Sequence, residues 1–280
     1  MSGPSQIPPA KSRELPIGIF DSGIGGLTVA REIHRTLPHE DLVYLGDTAR
    51  VPYGTKSPNT VIRYALEDTR FLLTQNVKAV VVACNTASAW ALSTLQRSFP
   101  VPVIGVILPG VRAALEQTRT GRIGVIGTAA TVRSQAYTLG IHAGRDSAQL
   151  FARACPLLVP LVEEGRVNDR ITRLILKDYL APLLRRRIDT LVLGCTHYPL
   201  LKTALREVVG PKVALVDSAE SCARFVREEL GRLRLLNTRR RRAGKIFPYV
   251  TDEVERFTEQ ADRFLGFPTE PAFKVDLPAM

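Results

Sequence analysis

The sequence predicts an α/β protein built of two similar parallel-sheet domains related as a pseudo-twofold duplication, with the active site in the cleft between them. Three features lead there. Short β-branched apolar runs alternate with segments of helical period, as in sheets covered by helices. Two pairs of these runs repeat along the chain at nearly constant offset. Small and polar residues gather where the runs end, which is where open α/β sheets hold their ligands.

Strands are expected at 17–20, 42–45, 79–83, 103–106, 122–126, 190–193 and 213–216. Their hydrophobicity is continuous rather than alternating, so both faces should be buried. Among the intervening helices, Leu27, Ala30, Ile33 and Leu37 share one face, and Ile171, Leu174, Ile175 and Leu180 approximately share another. Residues 1–15, rich in Pro, Ser and charge, read as a flexible leader.

The repeat is the most informative feature. IGIFDSG at 17–23 matches IGVIGTA at 123–129, an offset of 106 residues that sets Asp21 and Ser22 opposite Gly127 and Thr128. AVVVACNT at 79–86 matches TLVLGCTH at 190–197, an offset of 111 that sets Cys84 opposite Cys195. Strands rich in Val and Ile resemble one another in any α/β chain, so the paired cysteines carry the argument. Two related halves would each bring one thiol to a shared cleft.

Composition narrows the class. With 280 residues, 45% hydrophobic and 23% charged, the chain has soluble globular usage, which fits neither a disordered polyelectrolyte nor a membrane bundle. No apolar run reaches about 18 residues, and the start MSGPSQIPPAKSRELP has no signal-like apolar stretch, so the expected compartment is the cytoplasm. Four cysteines without any CxxC argue against a zinc ribbon, a thioredoxin-type pair or a disulfide scaffold. The net charge of +11 favours anionic substrates or partners. Much of it sits at Arg185, Arg186 and Arg187 and in the run 239–242, read as solvated loops, and no nucleic-acid-binding signature accompanies them.

A cysteine at the end of a buried strand, followed at once by a helix, faces backbone N–H groups that lower its pKa from about 8.5, making Cys84 and Cys195 candidate thiolates. Asn85, Thr86 and Thr196 suit helix capping and carboxylate binding, and His197 is a proton partner for Cys195. Cys155 and Cys222 read as inert packing, His34 and His39 as solvated. The glycines of DSGIGGL have GxGG rather than dinucleotide-loop spacing, and are expected to permit a tight turn that directs Asp21 or Ser22 toward the cleft. Thiols on opposite sides of a small molecule suit removal of a proton from one face and its return to the other, with Ser22, Asn85, Thr86, Thr128 and Thr196 as donors for the developing charge. No lysine in a pyridoxal-phosphate setting is present and no second shell surrounds Cys84, Cys195 and His197, so neither cofactor nor metal is expected.

GIFDSGIGGLTV, YLGDTARVPYG, ACNTASA, GTAATVRSQAY, CPLLVPLVEEG, LGCTHYPLL and VDSAE occur in this order between residues 18 and 220, within a match that runs from about 16 to 266. On these motifs the chain resembles the glutamate racemases, cofactor-independent enzymes that supply D-glutamate for bacterial peptidoglycan. The resemblance implies that Cys84 acts on the D-enantiomer with help from Asp21, and Cys195 on the L-enantiomer with help from His197 and Glu163. It implies substrate contacts at Asp21, Ser22, Pro52, Tyr53, Gly54, Asn85, Thr86, Thr128, Thr196 and His197, and a homodimer. It further implies one domain from 16–110 plus 219–266, a second from 111–218, and a tail at 267–280. Without it, Tyr53 reads as an ordinary turn residue and Glu163 as a solvated helix acid. The chain departs from the pattern at Leu108, where many members carry Glu, and in its leader and tail.

Three rivals remain at this level. A two-cysteine racemase for aspartate or another small acid keeps the thiols and alters the pocket. A basic nucleic-acid-binding protein is motivated by the charge, and a thiol redox protein by the paired cysteines.

Overall fold

The computed structural model describes residues 10–238 and 242–277. Ten strands are present in it: β1 (Ile17–Asp21), β2 (Leu42–Gly46), β3 (Ala79–Val82), β4 (Val103–Gly105), β5 (Arg122–Gly127), β6 (Gln149–Ala154), β7 (Thr190–Gly194), β8 (Ala214–Asp217), β9 (Ile246–Val250) and β10 (Phe273–Lys274). The helices are α1 (Ala10–Arg13), α2 (Leu27–Thr36), α3 (Pro58–Thr74), α4 (Asn85–Ser98), α5 (Ile107–Gln117), α6 (Ala129–Arg133), α7 (Ala136–Gly144), α8 (Leu158–Glu163), α9 (Arg170–Arg185), α10 (Lys202–Val209), α11 (Ser218–Arg232) and α12 (Val254–Leu265).

The strands form two parallel sheets, ordered β10-β9-β2-β1-β3-β4 and β6-β5-β7-β8. Within them β2-β1-β3-β4 and β6-β5-β7-β8 are the same arrangement, so β1 corresponds to β5 and β3 to β7, the pairs that the internal repeat aligns. All seven expected strands are found, and β1, β2, β3 and β7 are buried along their whole length, as continuous hydrophobicity requires. Helix α11 packs on α2 and also on α5, joining the two sheets' layers through one continuous core.

Three strands were not expected. Strand β6, QLFARA, is a partly exposed edge without a continuous apolar run. In β9 the proline at 248 argues against a strand. The Lys245 carbonyl accepts the Leu42 N–H, so by alternation the Pro248 nitrogen faces away from β2, and β10 pairs only with Tyr249 and Val250 beyond it. The missing N–H therefore breaks no ladder bond. Strand β10 lies in the stretch read as a tail and extends the first sheet.

Two helical expectations are corrected. The buried face of α2 is the expected one, but α9 buries Thr172, Leu176, Tyr179, Leu180 and Leu183, leaving Ile171 and Leu174 exposed. His34 is half-buried against Phe267, its ring 5.4 Å away, and His39 Nδ1 lies 3.1 Å from the Arg242 carbonyl, so neither is simply solvated.

Residues 1–9 of the leader and 239–241 of the basic run lie outside the described residues. What is described is anchored: Arg242 pairs with Asp41, and the Arg13 carbonyl at the end of α1 accepts from Lys78 Nζ at 2.7 Å. Lys78 also forms a buried ion pair with Glu40, whose other oxygen accepts the Asn237 N–H at 2.8 Å. Lys78→Met leaves Glu40 buried and unpaired, with an expected loss of about 3–5 kcal/mol of unfolding free energy in urea titrations. Replacing both residues by apolar ones should recover much of it.

Candidate active site

Cys84 and Cys195 follow the C-terminal ends of the corresponding strands β3 and β7, and face one cavity of about 270 Å³. The first sheet's side contributes Ser22, Gly23, the loop Val51, Pro52, Tyr53, Gly54 and Thr55, and Asn85 and Thr86. From the other side come Thr128, Ala129, Cys155, Pro156, Val159, Pro160, Glu163, Thr196 and His197. The substrate-contact set expected from sequence is thus gathered in one place, except that Asp21 is fully buried behind the wall.

The two thiols have different settings. Cys84 caps α4, its sulfur accepting the Ala87 N–H at 3.5 Å with the Ser22 hydroxyl 3.7 Å away. Burial, reinforced by Asp21, nevertheless pushes this thiol up to about 12, so the expected depression by the helix end is overruled. Cys195 lacks an adjoining α-helix: a short 3₁₀ turn, Tyr198–Leu201, follows, and α10 starts only at Lys202. Its partner is His197, with Nδ1 3.8 Å from the sulfur and Nε2 3.0 Å from Glu163 Oε1.

Burial opposes charge on His197, but the bonds to Cys195 and Glu163 prevail and hold the imidazole up to about 10. Glu163, far from being a solvated helix acid, ends α8 with its carboxyl on this ring. Since the folded value lies above the ordinary 6.5, the stabilisation is full below that pH and is lost as pH climbs toward about 10. The difference in melting temperature between the native chain and His197→Asn should therefore shrink over that interval. In NMR titrations Glu163→Gln should lower the midpoint of the His197 ring.

Asp21 binds the Gly23 N–H at 3.1 Å and the Thr196 hydroxyl at 3.4 Å; burial raises its carboxyl, against the pull of His197 and these donors. The glycines beside it serve contact rather than a special backbone conformation, for none of Gly23, Gly25 and Gly26 has positive φ. A Cβ on Gly25 would lie 2.4 Å from the His197 ring and from Thr196 Oγ1, and one on Gly26 2.4 Å from Asp21 Cβ. The Thr28 hydroxyl ties the same turn to the Thr196 carbonyl at 2.8 Å.

Thr86 and Thr128 hydroxyls meet at 2.9 Å, and Thr131 joins them. Thr128, not Asn85 or Thr86, is a helix-capping residue, accepting the Thr131 N–H at 3.2 Å. Asn85 lines the cavity; its Oδ1 accepts from Tyr137 at 2.8 Å, while its Nδ2 is buried without a partner. Thr131 was detectable as the third residue after Thr128; Tyr137 had no local signal. Cys155, read as inert, lines the cavity after β6, and burial raises its thiol to about 12; recognising β6 would have marked it as a strand-end residue. Cys222 is buried in α11. Among the described residues no cluster of three His, Cys, Asp or Glu side chains is placed to hold a metal, and no helix is long and apolar enough to cross a membrane.

Two thiols at equivalent strand ends, each with its own polar partner, thus line one cavity of a two-sheet α/β protein. The chain belongs to the Asp/Glu/hydantoin racemase family, whose model matches residues 17–226. It is 51% identical over 263 residues to the glutamate racemase of Geobacter metallireducens, covering 94% of this chain and 97% of that one. Among solved structures it resembles a glutamate racemase isoform from Bacillus anthracis (TM-score 0.92, 40% identity, 96% and 100% of the two chains). The Francisella tularensis glutamate racemase in complex with D-glutamate is also similar (TM-score 0.87, 38% identity, 94% and 98%).

Proposed function

We propose that the chain interconverts L- and D-glutamate without a cofactor, by proton transfer at Cα between two cysteines. The observation that carries this reading is the placement of Cys84 and Cys195 after corresponding strands on one small cavity. Its family membership and the glutamate racemases it resembles support glutamate as the substrate.

In the L-to-D direction, the Cys195 thiolate removes the Cα proton beside the His197–Glu163 pair. The negative charge that develops on the substrate carboxylate is met by Asn85 and the threonines that line the cavity, Thr86, Thr128 and Thr196. Cys84, held neutral by burial, delivers its proton to the opposite face. Asp21, whose charge opposes ionisation of Cys84, helps to keep that thiol protonated, and the reverse direction exchanges the thiols' roles. The loop at Pro52, Tyr53 and Gly54 closes the cavity over the substrate. The same reading places the protein in the cytoplasm as a homodimer, providing D-glutamate for peptidoglycan, with 16–110 plus 219–266 and 111–218 as the halves that flank the cleft.

The test is chiral chromatography of L-glutamate and L-aspartate, each incubated with the protein in the absence of pyridoxal phosphate and metal. Formation of D-glutamate alone is expected. Formation of D-aspartate alone would retain the two-thiol chemistry and refute the substrate assignment.

A further inference from the structure

The cavity-wall loop at 51–55 hangs on a buried network that takes no part in proton transfer. Arg50 donates from Nε to Asp47 at 2.6 Å, from Nη2 to Asp68 at 3.0 Å, and from Nη1 to Glu67. Its guanidinium lies 4.1 Å from the centre of the Tyr64 ring. Tyr53, within the loop, is 1% exposed, and its hydroxyl touches both Asp47 and, at 2.9 Å, Asp68. Asp47 is completed by the Thr251 hydroxyl at 3.0 Å.

Proton counting constrains this arrangement. A phenol has one proton, so Tyr53 cannot donate to two carboxylates. Three carboxylates also share one guanidinium, and leaving all of them ionised would strand negative charge in the interior. If one carboxyl keeps its proton, the phenol conflict disappears and one buried negative charge is removed from the three that Arg50 faces. The titratable groups facing Asp68 are Asp47, Arg50, Tyr53 and Glu67; burial and Asp47 push Asp68 well above the carboxylate range despite Arg50 and Tyr53, with Glu67 adding to the rise. Asp68 Oδ1 then accepts from Arg50, protonated Oδ2 donates to the Tyr53 oxygen, and Tyr53 donates to Asp47.

We infer that Asp68 acts as a neutral carboxylic acid, a positioning residue that together with Arg50 and Tyr53 holds the 51–55 wall in its substrate-binding shape. This rests on the reading of the cavity as the glutamate site. Asp68→Asn supplies an amide that can make the same two bonds, so KM for either enantiomer should stay within about twofold of the native value. Tyr53→Phe removes the link, and KM should rise about tenfold with a smaller change in kcat.

Hydrogen exchange of residues 51–56 in the substrate-free protein provides a readout independent of activity. Exchange about tenfold faster is expected in Tyr53→Phe, and native-like exchange in Asp68→Asn. Arg50→Lys, which keeps charge but loses the forked geometry, is the second probe should Tyr53→Phe not fold, and should loosen the same residues. The infrared difference between native protein and Asp68→Asn at neutral pH should contain a protonated-carboxyl band. Native exchange in a folded Tyr53→Phe or Arg50→Lys, an Asp68→Asn loop as loose as that of Tyr53→Phe, or a carboxylate band would overturn the inference. Failure of every protein to racemise glutamate would refute the substrate reading and leave the exchange test intact.

Discussion

Cys84→Ser and Cys195→Ser should each lower racemisation by about 10³-fold or more, because a two-base exchange fails when either proton-transfer group is replaced by a much weaker acid. The two variants should differ in what they retain. In deuterated water, Cys84→Ser keeps the thiol next to His197 and Glu163, so it should exchange the Cα hydrogen of L-glutamate without inverting it. Cys195→Ser should exchange only D-glutamate. Mass spectrometry of separated enantiomers reads both outcomes, and full racemisation by either variant would remove the assignment.

Gly25→Ala should be nearly as damaging, although Gly25 is not among the cavity-lining residues. Its Cβ would sit 2.4 Å from His197 Cε1, His197 Nδ1 and Thr196 Oγ1. Phe264 packs edge-on against the ring with centroids 5.7 Å apart, and Glu163 holds Nε2. Relief must come by moving His197 away from Cys195 or by separating the two turns. Overpacking of this sort costs about 1–3 kcal/mol of stability, and a catalytic group displaced by about 1 Å can cost about 10²-fold in rate. Gly23→Ala is the control, since its Cβ would meet only Val51 Cγ1 at 3.0 Å. Steady-state kinetics beside thermal melts should show Gly25→Ala folded and at least about a hundredfold slower, and Gly23→Ala much less affected.

The contrast between these sites shows what the sequence could disclose. Cys84 and Cys195 were legible because each ends an apolar run, and the same strand order in both sheets makes those ends equivalent. Strands buried on both faces announce themselves by unbroken hydrophobicity, whereas β6 is a half-exposed edge and β9 contains a proline whose harmlessness depends on where β10 begins. The exposed Ile171 and Leu174 on α9 had no local mark separating them from core residues.

Within the site, residue type and position failed wherever the partner is distant in the chain. Glu163 meets His197 across 34 positions and Tyr53 meets Asp68 across 15, so only the family resemblance drew attention to them. The Cys84 thiol was expected to be acidic from the helix that follows it. Full burial beside Asp21 proved the larger effect, and burial is a property of the assembled fold.

The central claim is that the two thiols work from opposite faces of one substrate. Racemisation of L-glutamate in deuterated water, stopped at low conversion, tests it most directly. The account predicts D-glutamate carrying deuterium at Cα while the remaining L-glutamate is still largely protiated. D-glutamate that retains the original proton would mean that one group serves both faces, and would contradict it.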